Sequence, residues 1–361
     1  MDDVAPVLID ADALTDFCTR AFTATGMPDE GARLTAETLV VADLRGVESH
    51  GTMRLPIYVQ RLLRGVMAAK PNITVRRQTR STAVVDGDNG MGQVVSAYAM
   101  DLAIKKAESE GEPAFVSVGN SNHFGAAAYF VEMAARHHMI GFAYTISGIN
   151  HMVPWGGAEA MLGNNPFAVA FPLPASPPIV LDMACSVAAR GKIMVAAKEG
   201  KPIPADWAVD RYGAPTTDAQ EALAGFVSPV GGPKGYALTL TIGLISTMLS
   251  NAYFGSEVKH MYEDFENPQN IGHLFGVLPI SAFEDLDIYD RRIAKAAADI
   301  HGVKRSAGIE KIFLPGEREA RLAQHRRHNG LPIAGGVVAE LRETGAKLSV
   351  DFPPPLSDRK R

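Results

Sequence analysis

The sequence predicts an α/β protein in which a central sheet-containing lobe is joined to a helical lobe built from both chain ends. Helical periodicity fills the first and last parts of the chain, whereas the middle alternates short apolar runs with helical segments. That alternation is typical of helices packed on a sheet. We expect residues 1–74 and 286–350 to form the helical lobe, residues 75–285 the α/β lobe and residues 351–361 an extended tail.

Local signals support each predicted element. Asp10 or Asp12 can cap a first helix, because a carboxylate accepts the free backbone N–H groups of a first helical turn. Pro28 suits the first turn of a second helix. The three N-terminal helices are expected to end near residues 25, 45 and 65.

In the middle of the chain, runs of apolar and β-branched residues indicate strands, and longer periodic runs indicate helices. The expected strands cover about residues 73–75, 82–86, 115–118, 140–144, 167–171 and 179–182. The expected helices of the middle cover about residues 92–110, 126–137, 187–198 and 235–250. Those of the C-terminal part cover about residues 288–301, 316–329 and 334–344.

Composition narrows the class of protein. The chain has 361 residues, 47% of them hydrophobic and 21% charged, with a formal net charge of −5. Its basic residues are scattered, whereas a nucleic-acid surface needs a basic face. The longest apolar run, residues 236–249, is too short to span a bilayer. We therefore expect neither a nucleic acid nor a membrane as partner.

The chain has two cysteines, Cys18 and Cys185, which lie far apart in the sequence. They are too few for a framework of disulfide bonds or for a zinc site with four cysteine ligands. The N-terminal residues 1–4 are acidic and do not look like a secretory signal. A reducing cytoplasm fits these features, and no metal site is expected.

The most informative segment is residues 43–56, which places Ser49, His50 and Arg54 where a helix runs out into a loop. Histidine can transfer a proton near neutral pH. Arginine can hold a carboxylate through two parallel hydrogen bonds. Gly51 is expected to free the backbone to turn. The segment indicates a site that oxidises or reduces a small carboxylic acid, and the alternative is a surface loop with a capping serine.

A second polar segment, residues 119–126, follows a predicted strand and precedes a helix, whose N-terminus can bind an anion. His123 is the second imidazole candidate. The alternative is a capped turn in which Asn122 bonds the backbone.

Two other polar residues have open roles. Asp182 follows an apolar strand, where it could cap a helix near Ser186, orient an imidazole or bind a cofactor. Lys234 precedes a helix and could be a solvated turn residue or a phosphate ligand.

Glycine-rich segments do not predict a nucleotide-binding fold. Residues 87–92 follow a strand but lack the Rossmann spacing. Residues 231–235 lack the Walker spacing.

Taken together, the motifs resemble the malate/L-lactate dehydrogenase family, which lacks a Rossmann fold. That family includes ureidoglycolate and sulfolactate dehydrogenases, diketogulonate reductases and cyclic-imine reductases. The matching segments follow the family's order: residues 45–51 with 54–56, 120–125, 153–157, 163–166, 181–184, 189–192, 215–218, 231–236, 270–273 and 314–317.

The resemblance implies a non-Rossmann α/β fold with a mixed or antiparallel cofactor-binding sheet, NAD or NADP as hydride carrier, and a homodimer or higher homo-oligomer. His50 would be the proton donor, Ser49 its relay partner and His123 an acid/base residue, with Asp182 as the fourth catalytic candidate. Substrate would bind Arg54, Arg190 and Ser147. The expected cofactor-binding residues are His123, Phe124, Gly125, Ala126, Ala127, Asn164, Leu181, Asp182, Met183, Pro233, Lys234, Gly316, Glu317 and Arg318.

The function expected from the sequence is hydride transfer between a nicotinamide and a small 2-hydroxy or 2-oxo acid of the malate, lactate or ureidoglycolate type. Two alternatives stay open: an NADPH-dependent reductase of a cyclic imine carboxylate, and a non-catalytic ligand-binding module. The sequence names neither the substrate nor the preferred nicotinamide.

Overall fold

A seven-stranded mixed sheet lies at the centre of the structure, a computed structural model that describes residues 6–356. Its strand order is β2-β3-β4-β10-β5-β6-β7, with β3 and β4 parallel and the other neighbours antiparallel. The sheet strands are β2 (Thr74–Gln78), β3 (Thr82–Asp86), β4 (Ala114–Ser121), β5 (Met139–Thr145), β6 (Phe167–Phe171), β7 (Ile179–Met183) and β10 (Ile271–Pro279). The predicted mixed α/β fold is confirmed, whereas residues 1–5 and 357–361, which include part of the predicted tail, lie outside the described range.

The predicted helices are confirmed, with ends that move by a few residues. They are α1 (Ala11–Ala24), α2 (Asp29–Leu44), α3 (Leu55–Leu63), α4 (Gly92–Glu110), α5 (Ala128–Ala135), α6 (Arg190–Lys198), α8 (Pro233–Thr247), α9 (Leu286–Gly302), α10 (Glu317–Asn329) and α11 (Gly335–Lys347). A short helix α7 (Ala219–Ala224) was not predicted. Within residues 6–356, no helix is long and apolar enough to cross a membrane.

The central strand β10 was not predicted from the sequence. It pairs with β4 on one side and β5 on the other, and all of its residues except Leu278 are buried. A strand buried on both faces lacks the alternation of apolar and polar residues that marks a half-exposed strand. Its two glycines and a histidine further weaken the signal. The short pairs β1 (Val7–Ile9) with β11 (Leu331–Ile333) and β8 (Ala208–Val209) with β9 (Phe226–Val227) were overlooked as well.

Buried apolar side chains pack in three clusters. One joins the two chain ends, with Leu14, Leu39 and Leu341 among its members. A second packs α4 and α5 against the sheet around Phe130 and Phe275. A third, smaller cluster is formed by residues between 152 and 254. The division into two lobes stays a prediction.

One edge of the sheet gathers the loops of functional interest. Because the neighbours are antiparallel, β4, β5 and β7 end at the edge where β6 and β10 begin. The predicted site residues His123, Ser147, Asn164 and Asp182 therefore all lie at this edge.

We predict that Phe275→Ala lowers the free energy of unfolding by about 3–5 kcal/mol, because Phe275 is fully buried in the central strand and its removal leaves a cavity. Denaturant unfolding monitored by circular dichroism measures this. The matched control is Phe283→Ala, since Phe283 is 69% exposed. Equal losses in the free energy of unfolding for the two variants would contradict the buried, central position of β10.

Candidate active site

The site is built on one buried carboxylate at the end of α2. Asp43 is 2% exposed, and its Oδ2 accepts hydrogen bonds from the Thr52 backbone N–H at 2.8 Å and the Thr52 hydroxyl at 2.6 Å. These bonds fold the chain into two successive 3-10 turns, Glu48–His50 and Thr52–Arg54. Burial raises the pKa of Asp43 to about 6, although the Thr52 bonds act in the opposite direction.

Gly51 joins the two turns for a reason that differs from the prediction. Its φ of −87° and ψ of −154° are extended backbone that other residues adopt, so the expectation of a glycine-specific turn was wrong. A Cβ at this position would lie 1.8 Å from Asp43 Oδ1. The glycine is required because the carboxylate packs directly against it.

The two turns bring His50 and Arg54 to one cavity, as the spacing predicted. The Ser49 hydroxyl and His50 Nδ1 are hydrogen-bonded at 2.9 Å, which leaves Nε2 for a ligand. Arg54 Nε donates to the Ser49 carbonyl at 2.6 Å. Among the described residues, the hydrogen bonds of Arg54 use Nε alone, so both Nη groups are available to an anion.

His123 lies against this pair from the loop after β4. Its ring stacks on that of His50 with centroids 5.5 Å apart, and its Nδ1 is 2.7 Å from the Tyr58 hydroxyl. Burial raises the pKa of Tyr58 to about 12, so the phenol keeps a proton that it can donate to Nδ1. Tyr58 was missed as a site residue, although it follows Arg54 by four positions and so shares its helix face.

Burial lowers the pKa of His50 to about 4, and the nearby Arg54 charge acts in the same direction. Burial also lowers the pKa of His123 well below its usual value, with His50 and Arg54 contributing. Both imidazoles are therefore neutral at pH 7 in the ligand-free protein. A bound anion would offset the Arg54 charge and raise both values.

A cavity of about 180 Å³, here called the substrate cavity, is lined by His50, Arg54 and His123. The predicted Ser147 and Arg190 line this cavity too. Arg190 Nη2 donates a hydrogen bond to the Leu223 carbonyl. None of the described lining residues is acidic. Four further lining residues were not predicted, because no sequence motif marks them: Thr145, His151, Met261 and Tyr262.

A groove of about 500 Å³, here called the cofactor groove, adjoins the substrate cavity, and the two share His50, Gly125 and Asn164. Many of the residues that line the groove are glycine, alanine or serine, including the predicted Ala126, Ala127 and Gly316, and the predicted Leu181 and Met183 line it as well. Small side chains let an extended ligand approach the backbone closely. Phe124 lines the substrate cavity instead, where its ring lies 4.8 Å from that of His273.

Asp182 lines the cofactor groove but does not contact a histidine. Its carboxylate accepts a hydrogen bond from the Ala128 N–H at 2.8 Å, at the N-terminus of α5. It therefore does not cap a helix near Ser186, which was one of its predicted roles. The carboxyl is open to the groove but otherwise enclosed by protein, and this burial raises its pKa to about 6.

Four predicted cofactor residues lie outside the described lining of both cavities. Pro233 and Lys234 are exposed in the first turn of α8. Glu317 forms ion pairs with Lys311 and Arg321 and is hydrogen-bonded to His301, and Arg318 lies over the Phe313 ring. Their roles stay predictions. No group of three or more His, Cys, Asp or Glu residues within 6–356 could hold a metal ion.

We predict that Gly51→Ala abolishes most activity and lowers the free energy of unfolding by about 1–3 kcal/mol, because the new methyl displaces the Asp43 carboxylate. Steady-state kinetics and denaturant unfolding measure the two effects. Gly302→Ala is the matched control, since a Cβ there meets nothing within 4 Å. A Gly51→Ala variant with wild-type kcat/KM would show that Asp43 does not fix the turns.

Known proteins were compared with the chain. A sequence model described as malate/L-lactate dehydrogenase matches residues 9–342. Malate dehydrogenase of Pyrococcus horikoshii is 38% identical over 353 residues, 96% of each chain. NAD(+)-dependent ureidoglycolate dehydrogenase of Escherichia coli O157:H7 is 34% identical over 312 residues, 86% of this chain and 88% of the relative. The structure of sulfolactate dehydrogenase from Methanocaldococcus jannaschii superposes with a TM-score of 0.90 and 37% identity, covering 96% of this chain and 98% of that one. The chain belongs to the malate/L-lactate dehydrogenase family.

Proposed function

We propose that the protein is an NAD- or NADP-dependent oxidoreductase that interconverts a small 2-hydroxy acid and the corresponding 2-oxo acid. One observation carries the proposal. His50 and Arg54, on consecutive turns, line a cavity whose described wall has no acidic residue and which opens into a groove of small residues. The arrangement supplies a proton-transfer group, a carboxylate ligand and room for an extended cofactor.

Arg54 is the proposed carboxylate ligand. Its two free Nη groups suit the two oxygens of a carboxylate, which arginine binds in a planar, bidentate manner. Arg190 lines the same cavity and brings a second guanidinium that suits an anion. A substrate with a second acidic group fits this lining, as the malate and sulfolactate named in the relatives would.

His50 is the proposed proton-transfer group. In oxidation, its neutral Nε2 accepts the proton of the substrate hydroxyl while the hydroxyl carbon loses hydride. In reduction, the protonated imidazole gives that proton to the developing alkoxide. Ser49 holds Nδ1, which fixes the ring orientation. His123, stacked on His50 and bonded to Tyr58, lies where it can bond the same substrate oxygen or the neighbouring carboxylate.

The volume of the cofactor groove, about 500 Å³, and its many small lining residues suit an extended ligand such as a dinucleotide. We propose that Gly125, Ala126, Ala127, Asn164, Leu181, Met183 and Gly316 hold the cofactor, with Asp182 at the groove wall. When bound, the nicotinamide accepts or supplies hydride. Lys234, Pro233, Glu317 and Arg318 remain proposed contacts from the family resemblance.

A panel of 2-hydroxy acids, 2-oxo acids and cyclic imine carboxylates, followed by nicotinamide absorbance with both cofactors, tests the proposal. We expect turnover of hydroxy and oxo acids. The imine alternative has less support, since the relatives reported above are named as dehydrogenases of hydroxy acids. Turnover of imines alone would favour that alternative, and no turnover would favour a ligand-binding module.

We further propose a cytoplasmic homo-oligomer. The outer face of α8 and the turn that follows it expose Leu238, Leu244, Ile245, Met248 and Leu249, and clustered exposed apolar side chains are typical of interaction sites. A second copy of the chain would cover it. Free, buried Cys18 and Cys185 suit a reducing compartment.

We predict that His50→Ala lowers kcat by about 10²–10⁴-fold while the affinity for NADH changes little, because a positioned acid–base group contributes that much. Stopped-flow kinetics and NADH fluorescence titration separate the two quantities. His137→Ala is the control, since His137 is an exposed histidine paired with Glu108. A variant that retained more than about a tenth of wild-type kcat would rule out the proton-transfer role.

For Arg54→Lys we predict a rise in KM for the carboxylate substrate of at least about tenfold, because lysine keeps the charge but loses the bidentate geometry. The comparison variant is Arg190→Lys, which alters the other arginine of the cavity. If Arg190→Lys raises KM and Arg54→Lys does not, the carboxylate binds at Arg190.

We predict that Leu249→Glu shifts the protein towards monomers, because it places a charge in the proposed interface. Sedimentation velocity at micromolar and sub-micromolar concentrations measures the mass. Leu63→Glu, at a leucine 60% exposed on α3, is the control and should leave the oligomer intact. A wild-type protein of 38.6 kDa that is fully active throughout would exclude the oligomer.

A further inference from the structure

We propose that Arg61 is a positioning residue that holds the loop of residues 259–267 over the substrate cavity, and that this loop sets how firmly Arg54 holds the substrate carboxylate. The proposal rests on the proposed function, in which Arg54 binds that carboxylate. No family motif quoted above includes Arg61 or this loop.

Arg61 is a charged side chain with no exposed surface. Its Nη1 donates to the Met261 carbonyl at 3.0 Å and to the Asp264 carbonyl at 2.8 Å, and its guanidinium lies 5.8 Å from the Phe265 ring centroid. Nε and Nη2 have no hydrogen-bond partner among the described residues, and burial lowers the pKa of the group. Because burying a cation with unused donors is costly, the two carbonyl bonds offset part of that cost, and together with the buried Met261 side chain they attach this loop to α3.

The same loop is tied to the sheet edge at its base. The buried Gln269 Nε2 donates to the Gly148 and Lys259 carbonyls at 3.1 and 3.0 Å, and the Met261 N–H donates to the Gly148 carbonyl at 3.1 Å. Gly148 lines the substrate cavity. Gln269 and the Met261 N–H therefore attach the base of the loop independently of the Arg61 side chain. Arg61 holds the part of the loop that follows, which includes Tyr262.

Tyr262 links the loop to the carboxylate ligand. Met261 and Tyr262 line the substrate cavity, and the Arg54 guanidinium lies 5.7 Å from the Tyr262 ring centroid. Arg54 is the N-cap residue of α3, and Arg61 follows it by seven residues, about two turns further along the same side of the helix. One helix face therefore carries the carboxylate ligand at one end and the anchor of its neighbouring tyrosine at the other.

It follows that loosening the loop should impair substrate binding more than proton or hydride transfer. Arg54 would lose the aromatic surface that restricts its guanidinium, and the cavity would lose one wall. His50 is held by Asp43, Thr52 and Ser49, none of which touches the loop in the described contacts. The cofactor groove is lined by other segments.

A double-mutant cycle on the full-length protein tests this. We expect Arg61→Met to raise KM for the 2-oxo acid by about tenfold, with kcat within threefold and NADH affinity unchanged. Tyr262→Ala should do the same, and the double variant should be no worse than Tyr262→Ala alone. Arg61→Lys, which can still donate to a carbonyl, should fall between wild type and Arg61→Met. Arg64→Met, an exposed arginine at the end of α3, is the control.

Additive effects of Arg61→Met and Tyr262→Ala, or an equal fall in kcat, would overturn the proposal. If Arg61→Met does not fold, Asp264→Ala replaces it, because the Asp264 carboxylate accepts the Glu266 and Asn267 N–H groups within the loop. Asp264→Ala should give the same rise in KM, and an unchanged KM would contradict the role proposed for the loop.

Hydrogen exchange separates this proposal from the proposed function. Faster exchange confined to residues 259–267 in Arg61→Met or Asp264→Ala supports the anchor even if the wild type turns over no oxo acid. Unchanged exchange there overturns it. Failure of the proposed function itself would appear as an inactive wild type.

Discussion

The buried Asp43 carboxylate is the constraint on which the site depends. It accepts both donors of Thr52 and packs against Gly51, so the chain after α2 has little freedom. His50 and Arg54 stand on either side of this contact, and their separation is fixed by it. Arg326 of α10 donates to the Asp43 carbonyl and to the Glu48 carboxylate, which ties the C-terminal helices to the same turns. Both chain ends also contribute to one apolar cluster, which includes Leu55 and Tyr58 of α3.

Electrostatics then decide what the cavity accepts. Burial keeps His50, His123 and His151 neutral at pH 7 by lowering their pKa values, and the guanidinium groups of Arg54 and Arg190 line the same cavity. A histidine whose pKa is lowered on folding costs stability as pH falls from its unfolded value of about 6.5 towards the folded value, because the unfolded chain binds the proton first. These three histidines therefore make the free energy of unfolding smaller near pH 5 than at neutral pH. A bound carboxylate partly reverses the shift, which couples substrate binding to proton uptake.

Much of this fold was open to prediction from sequence, because helix caps and apolar periods are local. The meeting of His50 and Arg54 followed from their spacing of four residues. The long-range contacts did not follow: Tyr58 reaches His123 across 65 positions, and Arg61 reaches Met261 across 200. The role of Gly51 was misread because only the folded chain places Asp43 beside it. Strand β10 gave no alternating pattern because both of its faces are buried.

Relatives of this chain are named as dehydrogenases of malate, ureidoglycolate and sulfolactate, so the geometry of the site can be tested before the substrate is identified. A crystal structure of the protein with NADH and an unreactive 2-oxo acid analogue tests it most directly. We predict a carboxylate bound by both Nη groups of Arg54, and the analogue's carbonyl oxygen within hydrogen-bond distance of His50 Nε2. The nicotinamide ring should lie at the junction near Gly125 and Asn164. A carboxylate bound at Arg190 with its carbonyl turned away from His50 would contradict the account.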